Sequence, residues 1–184
     1  MSNIYKKLLN GYLLVLLDIR LGTFDILMDP LGYLIILSAI ILLYKKEKLK
    51  EVKLAFVLTV FMMIHSIIPY FVVTPTTGIN LSVYGYISLI ASMICNAVVC
   101  VIIYFTSLRY VHDIEIKNRV EKEGNIYALI NGLLILALST VMIIPLNAIN
   151  TLIMSTVIIG FILQIRFLFT LSKLKKVWTE LEAT

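Results

Sequence analysis

This chain has little charge. Only 15% of its 184 residues are Asp, Glu, Lys or Arg, while 60% are hydrophobic and the mean hydropathy is +0.99. A water-soluble domain carries more charge and less apolar surface, so the composition excludes an ordinary soluble fold and specifies an integral membrane protein. Cysteine is nearly absent too. Cys95 and Cys100 stand five residues apart, about 140° around a helix, so they do not bridge each other and read as small packing residues. The signatures H-E-x-x-H, G-x-S-x-G, the Walker loop and the Gly-rich dinucleotide loop are all missing, which removes those catalytic classes. The two histidines, His65 and His112, lie at different membrane levels, so a metal centre would have to recruit carboxylates. His65 with Asp25 and Asp29 is the one workable set, and the sequence points to neither a metal nor a cofactor. Gly-Ser linkers, Pro-rich tracts and low-complexity runs are missing as well, leaving residues 1–184 as a single transmembrane domain.

What is present is a series of apolar blocks separated by short polar stretches. A helical span needs about 20 apolar residues. Four blocks meet this, at about 53–73, 81–106, 126–148 and 150–172. They are continuously apolar rather than alternating, which argues against a β-barrel. The first 46 residues are less regular. Asp29-Pro30 is a helix-start signal for a span over about 30–46. Residues 4–20 make a span if Lys6 and Lys7 snorkel to one interface while Asp18 and Arg20 sit at the other; lying in the interface is the alternative. The basic start and apolar stretch of "MSNIYKKLLNGYLLVLL" also suit a signal peptide, but Asp18 and Arg20 follow where small cleavage-site residues belong, so retention is expected. The reading is an all-α membrane bundle of about six helices.

Charge placement orients it. Lysine and arginine concentrate at 6–7, 45–53, 109–122 and 173–176, at alternate ends of the six spans. Basic ends belong inside, so both termini are expected in the cytoplasm. The opposite side has one base, Arg20, beside Asp18, Asp25 and Asp29: a charged outer hairpin in which the arginine can pair with an aspartate. The net charge of +5 reflects this bias. It calls for no nucleic-acid partner, and the inner rims favour anionic lipid. The loop at 109–125 balances its charges and reads as an extension of the fourth helix that Gly124-Asn125 ends.

Some polar residues lie within the spans. Tyr84, Ser88, Ser92, Asn96, Cys100 and Tyr104 recur every four residues, giving the fourth span a face suited to close helix packing or, as the alternative, to a polar path. Thr156, Gly160 and Gln164 make a shorter version in the last span, with Arg166 beyond. Asn96, Asn131 and Gln164 would line a hydrated site if they converged. His65 lies in the third span one turn before Pro69, whose ring frees a carbonyl nearby, so the imidazole is either a structural partner or a proton or ligand contact. One internal echo exists: "NIYKKLLNGYLL" at 3–14 and "NIYALINGLLIL" at 125–136 match apart from one residue of spacing.

At "FDILMDPLGYLIILSAIILL" the chain resembles small uncharacterised polytopic membrane proteins of low-GC Gram-positive bacteria, in which a stretch like D-I-L-P-D-x-x-G-Y opens the second span. Asp25, Ile26, Leu27, Asp29, Gly32 and Tyr33 match; the proline is displaced to Pro30, with Met28 in its usual place. The likeness implies a multi-pass protein of a bacterial plasma membrane and assigns no activity. The expected function is non-enzymatic: an accessory, regulatory, sensing or immunity-type component, as a homo-oligomer or with a membrane partner protein. The alternatives are a small oligomeric transporter or channel with a polar path along the fourth span, and an intramembrane enzyme using His65 and the outer aspartates.

Overall fold

The computed structural model describes residues 1–17, 20–21, 24–25, 29–71, 83–111, 113–140 and 146–181. Their regular structure is helical: α1 (Ser2–Leu17), α2 (Asp29–Glu47), α3 (Lys50–Phe71), α4 (Val83–Leu108), α5 (Ile114–Ser139) and α6 (Leu146–Leu181). The one departure among the described residues is a short antiparallel pairing between α1 and α2. In it β1 (Arg20–Leu21) meets β2 (Phe24–Asp25) with Arg20 opposite Asp25. The all-α expectation holds among the described residues, which form six helices. The chain divides into two compact units, Met1–Val73 with Gln164–Thr184, and Thr74–Leu163, so the division falls within α6.

In the first unit the pattern of buried residues explains the packing. Ile4, Tyr5, Leu8, Gly11 and Tyr12 form one stripe on α1; Gly32, Ile36, Ala39, Ile40 and Leu43 form another on α2. Both stripes follow the 3.6-residue period. They meet at two glycines. A Cβ on Gly11 would lie 2.6 Å from Ile36 Cγ1 and 2.9 Å from the Gly32 carbonyl oxygen; one on Gly32 would lie 2.6 Å from Val15 Cγ2 and 3.0 Å from the Gly11 carbonyl oxygen. Each glycine therefore receives the residue four places beyond the other, and the two backbones touch, as small residues allow. The pairing of Gly11 with Ile36 and of Val15 with Gly32 makes α1 and α2 antiparallel.

The end of α6 joins the same core. Tyr12 meets Phe167 edge to face, with ring centroids 5.0 Å apart, and Ser2 Oγ lies 2.9 Å from Thr179 Oγ1. Those contacts run α1 antiparallel to α6, so the start of α1, the end of α2 and the end of α6 share one end of the unit. Asp29 and Pro30 open α2 as expected, because a first-turn proline loses no helical bond and an acid suits the helix N-terminus. Lys48 ends α2 in the left-handed conformation (φ 52°), its N–H donating to the Tyr44 carbonyl at 2.8 Å. That is the αL cap, normally glycine's place.

In the second unit α4 packs on α5. The buried stripe of α5 is Val120, Gly124, Tyr127, Asn131, Leu134 and Leu138, and Ile90, Met93, Leu152 and Ile153 pack around Leu138. Here the helix boundary differs from the expected one. Residues 114–125 are not an extension of α4 but the first turns of α5, capped by Asp113, whose carboxylate accepts from the N–H groups of Glu115 at 2.8 Å and Ile116 at 3.0 Å. Gly124 does not end a helix either. It lies inside α5 where a Cβ would come 3.1 Å from Tyr104 Cβ, so its small size serves helix contact.

Two helical stretches among the described residues are long and apolar enough to cross a bilayer, Ile87–Leu108 and Leu152–Glu180. Only 28% and 17% of their most apolar windows are buried, far from the state of a soluble protein's core helix. Helices α1, α2 and α5 fall short for identifiable reasons. With 16 residues, α1 spans about 24 Å against a hydrocarbon thickness of about 30 Å. Helix α2 carries Asp29 at its start and Lys45, Lys46 and Glu47 in its last turn, and α5 is charged as far as Glu123.

These contacts set the sign of two substitution series. Alanine normally stabilises a helix interior over glycine by about 1 kcal/mol. At Gly132 and Gly160, where a Cβ meets nothing within 4 Å, the ordinary sign is expected, whereas Gly11→Ala and Gly32→Ala should lower the unfolding midpoint in detergent. Lys48→Gly should raise that midpoint, by up to about 1 kcal/mol of relieved strain, and Lys48→Val should lower it.

Candidate functional site

The most concentrated set of buried polar side chains lies between α4 and α5. Cys100, Tyr104, Tyr127 and Asn131 are all buried, and Asn96 is half-buried. The Cys100 thiol faces Asn96 Oδ1 of its own helix at 3.8 Å, a weak sulfur contact. Tyr127 of α5 brings its side chain within hydrogen-bonding reach of both Cys100 and Asn131. Asn131 also donates from Nδ2 to the Tyr127 carbonyl at 2.9 Å. The Tyr104 and Tyr127 rings tilt against each other with centroids 5.7 Å apart, directly beside Gly124. The result is a continuous seam from Asn96 through Cys100 and Tyr127 to Asn131.

Helical period builds this seam. Asn96, Cys100 and Tyr104 are four residues apart on α4, and Gly124, Tyr127 and Asn131 follow the matching three-and-four spacing on α5. The groups are a thiol, two phenols and two amides. Neutral groups of this kind are far cheaper to bury than ions once they are hydrogen-bonded, and paired across two helices they fix which face meets which. Carboxylates, imidazoles and amines take no part in the contacts described for the seam.

The other expected site residues are distributed elsewhere. Ser92 is half-buried on α4 and donates to the Leu89 carbonyl at 2.9 Å, a bond within its own helix. His65 and Gln164 belong to the other unit. On α3, Val52, Ala55, Thr59 and Met62 form the buried face and Leu54, Val57, Phe61 and Ile64 the exposed one. His65 lies beside the exposed stripe, half-buried and stacked on Phe61 with centroids 6.1 Å apart. Gln164 is half-buried; four residues before it, Gly160 faces open space, and Thr156 is buried with its hydroxyl donating to the Leu152 carbonyl at 2.8 Å. Of the charged hairpin, Asp29 begins α2, and Arg20 and Asp25 are register partners in the β1–β2 pairing. Asp18 and His112 lie outside the described residues. Among the described residues, His, Cys, Asp and Glu form no group of three able to hold a metal ion.

No family model, curated protein or solved structure matches the chain. The reading of the seam therefore rests on its own geometry. Tyr127 is the residue whose part a sequence reading misses. Its signal is the regular spacing from Val120 to Leu138, which runs through the charged and the apolar part of α5 without a break.

The seam makes a measurable claim. In a double-mutant cycle of Cys100→Ala with Tyr127→Phe, unfolding in detergent should show a coupling of about 0.6 kcal/mol, the usual size for a hydrogen bond between membrane helices. Strictly additive effects would mean that the two side chains do not interact.

Proposed function

We propose that this chain is a multi-pass protein of a bacterial plasma membrane that acts through helix and partner contacts, as an accessory, regulatory, sensing or immunity-type component rather than as an enzyme. The observation that carries the membrane reading is the uncovered apolar surface. Leu129, Leu133 and Leu136 form an exposed stripe on α5, and Met154, Val157, Ile158, Phe161 and Ile162 cover an exposed face of α6. Faces of this size are stable only against another apolar medium. In the six-span form, α1 and α2 reach the bilayer surfaces by local thinning of the bilayer and by snorkelling of Lys6, Lys7, Lys45 and Lys46.

Support for an orientation comes from the helix ends that the first unit gathers. The start of α1, the end of α2 and the end of α6 all carry lysine, and the rule that positive ends stay inside then puts both termini in the cytoplasm. The likeness of residues 25–33 to small membrane proteins of low-GC Gram-positive bacteria supports the source and implies no reaction. Contact is favoured over conduction by two placements. Asn96 and Asn131 are engaged within their own helices, with Cys100 and with the Tyr127 carbonyl, and His65 lies beside the exposed stripe of its helix.

A reporter fused after Thr76 tests the topology; it should behave as external, and cytoplasmic behaviour would overturn the six-span arrangement. Purified protein in liposomes tests the mode of action. It should leave a proton gradient intact, and proton flux lost on His65→Ala or Asn96→Ala would establish transport instead.

A further inference from the structure

Lysine crowds the shared end of the first unit. Lys45, Lys46, Lys48, Lys50 and Lys53 fall within nine residues, and all five are exposed. The left-handed Lys48 turns the chain between α2 and α3, so these lysines stand on one corner instead of following a single helix. The antiparallel contacts of α1 with α2 and α6 bring Lys6 and Lys173 to the same end, with Lys176 beyond. Lys176 is paired loosely with Glu180 at 3.9 Å. Against ten lysines on these segments stand three glutamates, Glu47, Glu51 and Glu180.

Two aromatic residues lie at the same level. Tyr44 is exposed in the last turn of α2, and Trp178, the chain's single tryptophan, is half-buried next to the Ser2–Thr179 contact. An exposed tyrosine such as Tyr44 favours the headgroup region of a bilayer, while Trp178 keeps its indole Nε1 inside the protein and exposes only part of its ring. Below them the surface becomes apolar, with Ile41 on α2 and Leu54 and Val57 on α3 exposed. A corner of lysines above an aromatic level above an apolar face matches the order of phosphate, glycerol and acyl chain in a lipid.

We propose that this end of the first unit binds the phosphodiester headgroups of anionic lipid, with the α2–α3 corner as the main contact. The inference rests on the membrane reading. It goes further by predicting selection among lipids and by assigning that selection to particular residues. Ammonium groups on flexible stems suit headgroups that vary in position, and each lysine near an anionic surface favours association about fivefold.

Trp178 provides the readout. The full chain is reconstituted in phosphatidylcholine vesicles holding a small equal fraction of lipid spin-labelled near the headgroup, either phosphatidylglycerol or phosphatidylcholine. Labelled phosphatidylglycerol should quench Trp178 more strongly. The excess should vanish when the five corner lysines are replaced by glutamine, shrink as salt rises from about 0.1 M to about 1 M, and grow with Glu47→Gln and Glu51→Gln. Six of these seven positions are exposed and Glu47 is half-buried, so the core is left untouched. Equal quenching by both labels would overturn the proposal while leaving the membrane reading in place, and no quenching by either would remove both. Loss of the excess on adding inorganic phosphate, but not chloride at equal ionic strength, would assign the corner to free phosphate and overturn its assignment to lipid.

Discussion

The backbones of α1 and α2 touch at Gly11 and Gly32, and the layout of the first unit follows from that contact. Because neither residue has a side chain, Ile36 can seat against Gly11 and Val15 against Gly32, which fixes both the rotation of the two helices and their antiparallel register. Tyr12, one residue beyond Gly11, then faces Phe167 and brings in the end of α6. In the membrane setting proposed above, burial against water would not separate one apolar helix from another, so close approach and shape would supply the specificity. Two missing methyl groups therefore do more here than any single large side chain.

The second unit solves the same problem with polar atoms. Its contact is built around Cys100, Tyr127 and Asn131, with Gly124 giving room for Tyr104. Two devices, glycine contact and neutral hydrogen bonding, thus serve two helix pairs of one chain. In the second unit Tyr127 meets Cys100 and Tyr104 across the two helices, while Asn96 and Asn131 bond within their own.

Much of this was legible in the sequence, and what was not has specific causes. Asp29-Pro30 announces α2 because the requirements of a helix start are local. The four-residue spacing on α4 likewise shows that Asn96, Cys100 and Tyr104 share a face. The continuation of α5 through Gly124-Asn125 was not legible, since the same dipeptide serves as a helix stop when no Tyr104 lies opposite. The β1–β2 pairing had its signal in Gly22-Thr23 between Leu21 and Phe24, a two-residue hairpin pattern hidden beside two apolar helices. The internal echo shows how one residue decides a role. From Tyr5 to Asn10 is five positions and from Tyr127 to Asn131 is four, a rotation of about 100°. Tyr5 and Tyr127 are both buried, yet Asn10 is exposed and Asn131 buried.

The continuity of α5 has a further implication. Its buried stripe begins at Val120, among charged residues, and ends at Leu138, so the polar stem and the apolar stem are held in a single angular phase. A residue inserted near Gly124 would turn everything after it by about 100° and move Tyr127 off Cys100. An insertion of a whole turn would nearly restore the phase, yet carry Tyr127 away from Cys100 along the axis. Substitution is therefore cheap on the outer face of α5, while length is not free to vary anywhere between Asp113 and Leu138. Related chains that keep the seam should differ in the letters of this segment and agree in their number.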